Sequence, residues 1–322
     1  MTLRIGIIGC GGIGRTHMHA WLSAGYRPVA VCDAIPAVAH DLAQLSDATV
    51  YSDGTTMLAN AQLDVVSICT PPALHAELTI AALDRHIAVL CEKPMAPTIA
   101  ECDAMIAAAT RNQTLLSVGF CHRYQPHIEV MKAQIGAGMI GDVIMFRNRF
   151  AGHMPNVEQR WFSNRALAGG GVMVDTCVHS VDLFRHLIGD VARVQASAVT
   201  RTTSLGPALQ VEDTAVITLT STEGVLGVIE ASWRTPPGEW IVSVYGTAGS
   251  LTLDYDTLEL WHCDAHGHKQ HLAVPDGDRF VNEVAHIAAC VRDATPPRVT
   301  MADGRAACDI LVRAMHDAQR EE

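Results

Sequence analysis

Two short stretches carry side chains suited to moving a proton or holding a charge. The first is Glu92-Lys93-Pro94, which closes the apolar run Val89–Cys91. An ammonium at a strand end can sit against a substrate hydroxyl and stabilise a developing alkoxide. Pro94 fixes the backbone beside it, through a cis bond if the lysine is to point inward. As an isolated tripeptide it reads better as a surface lysine at an ordinary strand end. The second stretch holds Asp175 and His179, four residues apart in a helical pattern and preceded by Gly169-Gly170-Gly171. That spacing puts both on one helix face, one turn apart. His179 titrates near working pH and can take or give a hydroxyl proton. Asp175 could share that proton, hold the imidazole or raise its basicity, and Asp182 is an alternative partner. A surface ion pair or a satisfied core histidine explains the same pattern without chemistry.

A catalytic pair needs something to act with, and the first seventeen residues supply it. Leu3, Ile5, Ile7 and Ile8 form a buried-strand run that stops at Gly9-Cys10-Gly11-Gly12-Ile13-Gly14, and a helical pattern follows. Strand, glycine turn and helix in this order form a dinucleotide-binding turn. Gly9 allows the tight turn, Gly11 lets a pyrophosphate approach the backbone, and Gly14 lets the helix pack on the strand. The helix N-terminus offers unpaired N–H groups to the phosphates. The next apolar run, Val29–Cys32, ends at Asp33, nineteen residues after Gly14. An acid there meets the adenosine ribose. Ala34 and Ile35 follow, with no cation for a 2′-phosphate, so NAD is expected over NADP. Arg15, beside the turn, keeps NADP as the second option.

The elements that must position these groups follow from periodicity. Apolar runs at Ile5–Ile8, Val29–Cys32, Val65–Cys69, Val89–Cys91 and Leu115–Phe120 alternate with helical segments at Arg15–Ala24, Pro36–Leu45, Leu74–Arg85 and Ile99–Thr110. This is an α/β Rossmann domain with a parallel sheet, whose ligands lie beyond the carboxyl ends of the strands. Asp33, Thr70-Pro71-Pro72 and Glu92-Lys93-Pro94 stand at three such ends and are expected to line one crevice. After Arg123 a helix (Pro126–Ala137), a strand (Val143–Phe150) and a helix from about Val172 to Leu187 lead into closely spaced strands. These are Val191–Thr200, Val211–Thr220, Val225–Trp233, Trp240–Tyr245, Ser250–Tyr255 and Leu258–His262. Short gaps favour antiparallel pairing. The expectation is an α+β domain with an open, mostly antiparallel sheet, one face under helices and the other solvated or self-associating; Trp233, Trp240 and Trp261 favour association. Helices at Phe280–Arg292 and Ala302–Gln319 close the chain, and the last is a candidate to pack back on the first domain. The expected domains are 1–122 for the nucleotide and 123–322 for substrate and oligomerisation.

Composition narrows the function. Hydrophobic residues make up 49% of the chain and charged residues 18%, enough apolar side chain for a large core. The net charge of −11 argues against nucleic acid or an anionic membrane as partner. No run is long enough for a membrane span and no signal peptide is apparent. Ten cysteines without a CxxC pair read as reduced thiols in a cytoplasmic protein, and no structural metal site is expected. His262, Cys263, Asp264, His266, His268 and His271 crowd one segment, which around Gly267 reads as a polar hairpin turn rather than a metal site. His17, on the first helix, reads as packing behind the site. His153 and Trp161 precede the glycine run and could reach a substrate or hold their loop to the sheet.

Taken together, Gly9–Gly14, Thr70-Pro71-Pro72 with His75, Glu92-Lys93-Pro94, and Gly169-Gly170-Gly171 with Asp175 and His179 resemble the glucose–fructose oxidoreductase / inositol dehydrogenase / MocA family along nearly the whole chain. The resemblance implies a pyridine-nucleotide oxidoreductase of a sugar, inositol or related polyol. It implies Lys93, Asp175 and His179 as the catalytic trio, and Gly9, Gly11, Gly12, Ile13, Gly14, Asp33, Thr70, Pro71, Pro72, His75, Glu92 and Lys93 along the cofactor. It implies His122 beside Asp175 and His179 at the substrate, and His153, by its place before the glycine run, is a further candidate there. His122, in Gly119–Tyr124, stands where relatives often carry an arginine, and histidine reaches less far and holds charge less firmly. A homodimer or homotetramer through the open sheet is expected. Two other functions fit the same motifs: a lyase or glycosidase that oxidises its sugar transiently, and a non-catalytic nucleotide-sensing regulator.

Overall fold

The computed structural model describes residues 3–319, which form two compact units. The first comprises residues 3–124 and 278–308, and the second comprises residues 125–277 with the residues from 309 onward. The segment 278–308 therefore belongs to the first unit, although a division at 122/123 assigns it to the second.

In the first unit the strands are β1 (Ile5–Ile8), β2 (Pro28–Cys32), β3 (Thr49–Tyr51), β4 (Val65–Ile68), β5 (Ala88–Cys91) and β6 (Leu116–Val118). The helices between them are α1 (Gly12–Ser23), α2 (Pro36–Ala43), α3 (Gly54–Asn60), α4 (His75–Leu83) and α5 (Ile99–Asn112). The sheet is parallel, in the order β3-β2-β1-β4-β5-β6, the doubly wound arrangement of a Rossmann domain. β1, β4 and β5 are buried along their whole length, which is why they read as continuous apolar runs. β3 and α3 escape a reading by periodicity. β3 is a three-residue edge strand paired on one side only, and α3 is a polar helix set by its cap, Asp53, whose carboxylate accepts the Thr56 N–H over 2.7 Å.

The second unit begins with α6 (Pro126–Gly136) and β7 (Val143–His153), and a loop then holds the single turn α7 (Arg165–Ala168). Residues Met173–Cys177 form a π-helical turn that runs into α8 (Val178–Leu187). The strands that follow are β8 (Val191–Val199), β9 (Thr214–Ser221), β10 (Leu226–Ser232), β11 (Arg234–Gly246), β12 (Gly249–Asp254), β13 (Glu259–Asp264) and β14 (Lys269–His271). They join β7 in one open sheet, β14-β13-β12-β11-β7-β10-β9-β8. Every pair is antiparallel except β7 and β10, which run parallel. The short-gap argument holds for strands consecutive in sequence, and these two are separated by two helices and two strands. α6 packs on β12 and β13 and α8 on β10, with Phe184 edge-on to Phe146 at 5.5 Å.

The other face is more polar than its tryptophans suggest. Trp233 is 3% exposed and belongs to the inner side, where its ring N–H donates to the Thr176 hydroxyl. Trp240 is exposed but pairs with Phe150 and shares its inner side, so of the three only Trp261, opposite Thr252, lies on the outer side. The middle of the outer face holds an ion network: Arg147 and Arg149 both meet Glu230, and Arg149 also meets Glu239.

Two helices close the chain, α9 (Arg279–Asp293) and α10 (Met301–Ala318). α9 starts at Asp278, whose carboxylate caps Phe280 and Val281, and it buries Val284, Ile287 and Ala288 in the same core as Trp21 of α1.

Candidate active site

The carboxyl ends of five strands of the first sheet are tied side by side. The Gly9 N–H donates to the Cys32 carbonyl, Cys69 to Ile8, Glu92 to Ile68 and Gly119 to Cys91, over 2.7–2.9 Å. Asp33, the Thr70 loop, Lys93 and His122 therefore stand along one edge, where a doubly wound sheet binds its ligand.

The glycine turn does what its spacing required. A Cβ on Gly14 would stand 1.9 Å from the Gly9 carbonyl oxygen, and one on Gly9, at φ +92°, would stand 2.5 Å from the Cys69 oxygen. Both positions demand glycine. A Cβ on Gly11 would touch nothing, so that side of the turn, which carries Gly12 and Ile13 at the start of α1, is open to a phosphate. The Asp33 carboxylate accepts the Cys10 N–H with one oxygen and the Ile35 N–H with the other, at 2.8 and 2.9 Å. It thus caps its own turn and sits against the glycine loop, half-exposed, with lone pairs left for a ribose. Arg15 is paired with Asp41, which occupies the cation that a 2′-phosphate would need. These features fit NAD.

The Glu92-Lys93-Pro94 tripeptide is held from within. Glu92 is buried, and its Oε1 lies 3.0 Å from Nε2 of His17, which is itself fully buried in α1. Its Oε2 accepts the Lys93 N–H over 3.1 Å. Burial raises the Glu92 carboxyl, but the His17 bond, the charges of His17 and Lys93, and the Lys93 N–H outweigh it and hold the group below its ordinary value. Gly119 leaves the room, since a Cβ there would stand 3.0 Å from Oε1. Lys93 is half-buried, and its bond to Pro94 is cis.

Several residues expected along the cofactor turn out to serve the backbone. His75 is fully buried, with its two ring nitrogens 2.9 Å from the carbonyl oxygens of Pro94 and Thr70. Pro72 is also buried, at the start of a 3-10 turn leading into α4. Thr70 and Pro71 are half-exposed. His122 lies in the 3-10 turn Cys121–Tyr124 and is 4% exposed. Burial, then the charges of Arg279 and Lys93, push its imidazole well below the ordinary range, so it is neutral at physiological pH. The thiols nearby are inert. Cys10 is pushed up to about 12 by burial, with Asp33 and Cys32 adding to it, and burial raises Cys69 and Cys121 as well.

In the second unit the segments that carry His153 and Asp175 are linked through Trp233. His153 ends β7 and is exposed, and the next N–H, of Met154, donates to the Trp233 carbonyl. The Trp233 indole reaches Thr176, the neighbour of Asp175. Trp161 is exposed, and its neighbour Phe162 packs on Trp233 with ring centroids 5.3 Å apart. Asp175 lies in the π turn rather than in a regular α-helix, and His179 lies in the first turn of α8. A π turn needs about 4.4 residues per revolution, so a spacing of four still brings two side chains to one side. Both are half-buried.

The residue that sequence reasoning missed here is Glu212. Its carboxylate accepts the N–H groups of Gly171 and Met173, and its carbonyl accepts that of Val172. It thereby caps the helix that carries the pair. A Cβ on Gly171 would stand 1.9 Å from the Glu212 oxygen, which explains the glycine. No signal in the sequence marked it, because Glu212 between buried Val211 and Asp213 follows the ordinary alternation of an extended segment. In the histidine-rich segment, Asp264 accepts the N–H groups of His266 and His268 and the His268 ring, making the β13–β14 hairpin turn with Gly267 at φ +85°.

Comparison with known proteins agrees with this fold. Residues 3–120 match the model of an oxidoreductase family with an NAD-binding Rossmann fold, and residues 128–252 match the GFO/IDH/MocA C-terminal domain. The chain is 30% identical to a D-apiose dehydrogenase of Paraburkholderia graminis, over 98% of this chain and 87% of that protein. It is 32% identical to an inositol 2-dehydrogenase of Saccharopolyspora erythraea, over 71% of this chain and 66% of that one. Among solved structures, an oxidoreductase domain protein from Kribbella flavida superposes with a TM-score of 0.91 at 27% identity, covering 100% of this chain and 98% of the other.

Proposed function

The chain belongs to the Gfo/Idh/MocA family of NAD-binding oxidoreductases, and we propose that it oxidises a secondary alcohol of a sugar, inositol or related polyol, or reduces the matching ketone. The single observation that carries this reading is the held tripeptide. A lysine stands at a strand end on the cofactor edge, its backbone fixed by a buried carboxylate. A regulator that only sensed a nucleotide would have no use for that arrangement. Relatives named for apiose and for inositol set the substrate class.

Bound NAD supplies the hydride acceptor. In this reading Gly9, Gly11, Gly12, Ile13 and Gly14 take its pyrophosphate, Asp33 its adenosine ribose, and Thr70 and Pro71 flank the rest. Lys93 steadies the substrate oxygen as negative charge develops on it. His179 takes the hydroxyl proton, and Asp175 orients or polarises the imidazole. His122, being neutral, offers hydrogen bonds rather than a charge, which suits an uncharged polyol better than a carboxylate. His153 is a further substrate contact. The assembly is a homodimer or homotetramer through the open sheet, and the location is cytoplasmic, in keeping with cysteines that are buried in all but one case. No helix among the described residues is long and apolar enough to cross a membrane.

The test is NADH formation, followed by its absorbance, over a panel of inositols, aldoses including apiose, deoxy sugars and anhydrosugars. Stoichiometric NADH from one class supports the proposal. Substrate consumed without net NADH, or no turnover across the panel, overturns it.

A further inference from the structure

The two loops expected to flank the cofactor are rich in proline. Pro71 and Pro72 follow β4, and Pro94 follows Lys93 after β5. None of the three has an N–H, so these residues cannot tie one loop to the other by backbone hydrogen bonds. The tie comes from a side chain. His75, the first residue of α4, inserts a fully buried imidazole between the loops, with Nδ1 2.9 Å from the Pro94 oxygen and Nε2 2.9 Å from the Thr70 oxygen.

We propose that His75 is a positioning residue that locks the Thr70 loop to the Lys93-Pro94 loop, so that the cofactor edge and the lysine are set together by one ring. Lys93 is then gripped on both sides. Glu92, held by His17, takes its N–H, and His75 takes the carbonyl of the next residue. The ring does this without touching cofactor or substrate. Carbonyl oxygens only accept, so each contact calls for an N–H on the ring, and a neutral imidazole has one. Burial keeps the ring below its ordinary value despite both carbonyls. The neutral ring therefore donates to one loop and packs its other nitrogen against the second.

The part of this inference that concerns Lys93 rests on the proposed role of that residue; the locking of the loops does not. Two variants test it. His75→Leu keeps the bulk and removes the ring's one donor together with its second nitrogen, and His75→Gln restores an amide donor without the ring. NADH affinity is measured by fluorescence titration, and backbone hydrogen exchange is followed in segments 69–76 and 91–97. For His75→Leu the expected result is NADH binding weaker by about tenfold or more, with faster exchange in both segments and unchanged exchange in β1 and β2. For His75→Gln, which keeps a donor but loses the ring between the loops, both effects should be present but smaller than for His75→Leu. A folded His75→Leu protein with wild-type NADH affinity and wild-type exchange in both segments overturns the proposal. Should His75→Leu not fold, His75→Gln decides, and wild-type behaviour in both measurements is then the overturning result. Neither measurement needs turnover, so failure of the sugar panel would sink the proposed function and leave this one standing. On an accepted substrate, kcat should fall with KM little changed.

Discussion

The Arg123 guanidinium donates to Oδ1 of Asp303 over 3.1 Å, joining two residues that lie 180 apart in sequence. Arg123 adjoins His122, and its carbonyl accepts a hydrogen bond from Arg298, whose guanidinium lies over the Tyr124 ring. The turn that presents His122 is thus fastened to Arg298, between α9 and α10, and to the first turn of α10, both of which belong to the first unit.

This fastening should be sensitive to acid. Burial raises the Asp303 carboxyl, but the Arg123 charge and the hydrogen bonds from Thr300 and Arg123 prevail and hold it at about 2, against an ordinary 3.8. Because the folded state depresses the group, its contribution is full above pH 3.8 and is lost as pH falls toward about 2. A shift of this size corresponds to about 2 kcal/mol. Denaturant unfolding at stepped pH should show Asp303→Asn less stable than the parent near neutrality, with the gap closing in that acid window. A constant gap would refute the assignment.

Asp33 should decide the cofactor. Asp33→Ser removes a charged acceptor worth about 1.5–3 kcal/mol, so NAD should bind roughly 10- to 100-fold more weakly. NADP, no longer repelled, should lose nothing or gain. Isothermal titration with both nucleotides reads the ratio, and an unaltered preference for NAD would show that the acid only caps its turn.

Lys93 and His179 should matter for turnover far more than for NADH binding. Replacing either with alanine is expected to lower kcat by about two orders of magnitude or more on whichever sugar or polyol is turned over. A variant with parental kcat would remove its residue from the mechanism.

His17 should matter for folding as much as for catalysis. His17→Leu leaves the Glu92 carboxylate buried without its partner, at a cost of about 3–5 kcal/mol. The double variant His17→Leu, Glu92→Leu removes the stranded charge and should recover part of that loss. Chemical denaturation of the two single variants and the double one measures the coupling, and purely additive effects would mean the pair does not act as a unit.

Much of this protein was written in its order of residues, and the reason is local. Gly9, Gly14 and Gly171 sit where any side chain would strike a backbone oxygen, so their identity announces a close approach before its partner is known. β1, β4 and β5 are buried on both faces, so burial alone makes them continuous apolar runs. What remained hidden depends on contacts between distant parts of the chain. Nothing near His75 in sequence says that its ring meets Pro94, nothing near Trp233 says that it faces Thr176, and nothing near Glu212 says that it caps residues 171–173. Spacing could name the glycine turn, the lysine tripeptide and the Asp175–His179 pair, because a strand end or a helix turn fixes those from neighbouring residues. Which polar side chains face the ligand edge and which are spent holding the backbone was decided only by tertiary packing, since a buried polar group takes whatever partner the fold brings within hydrogen-bonding reach.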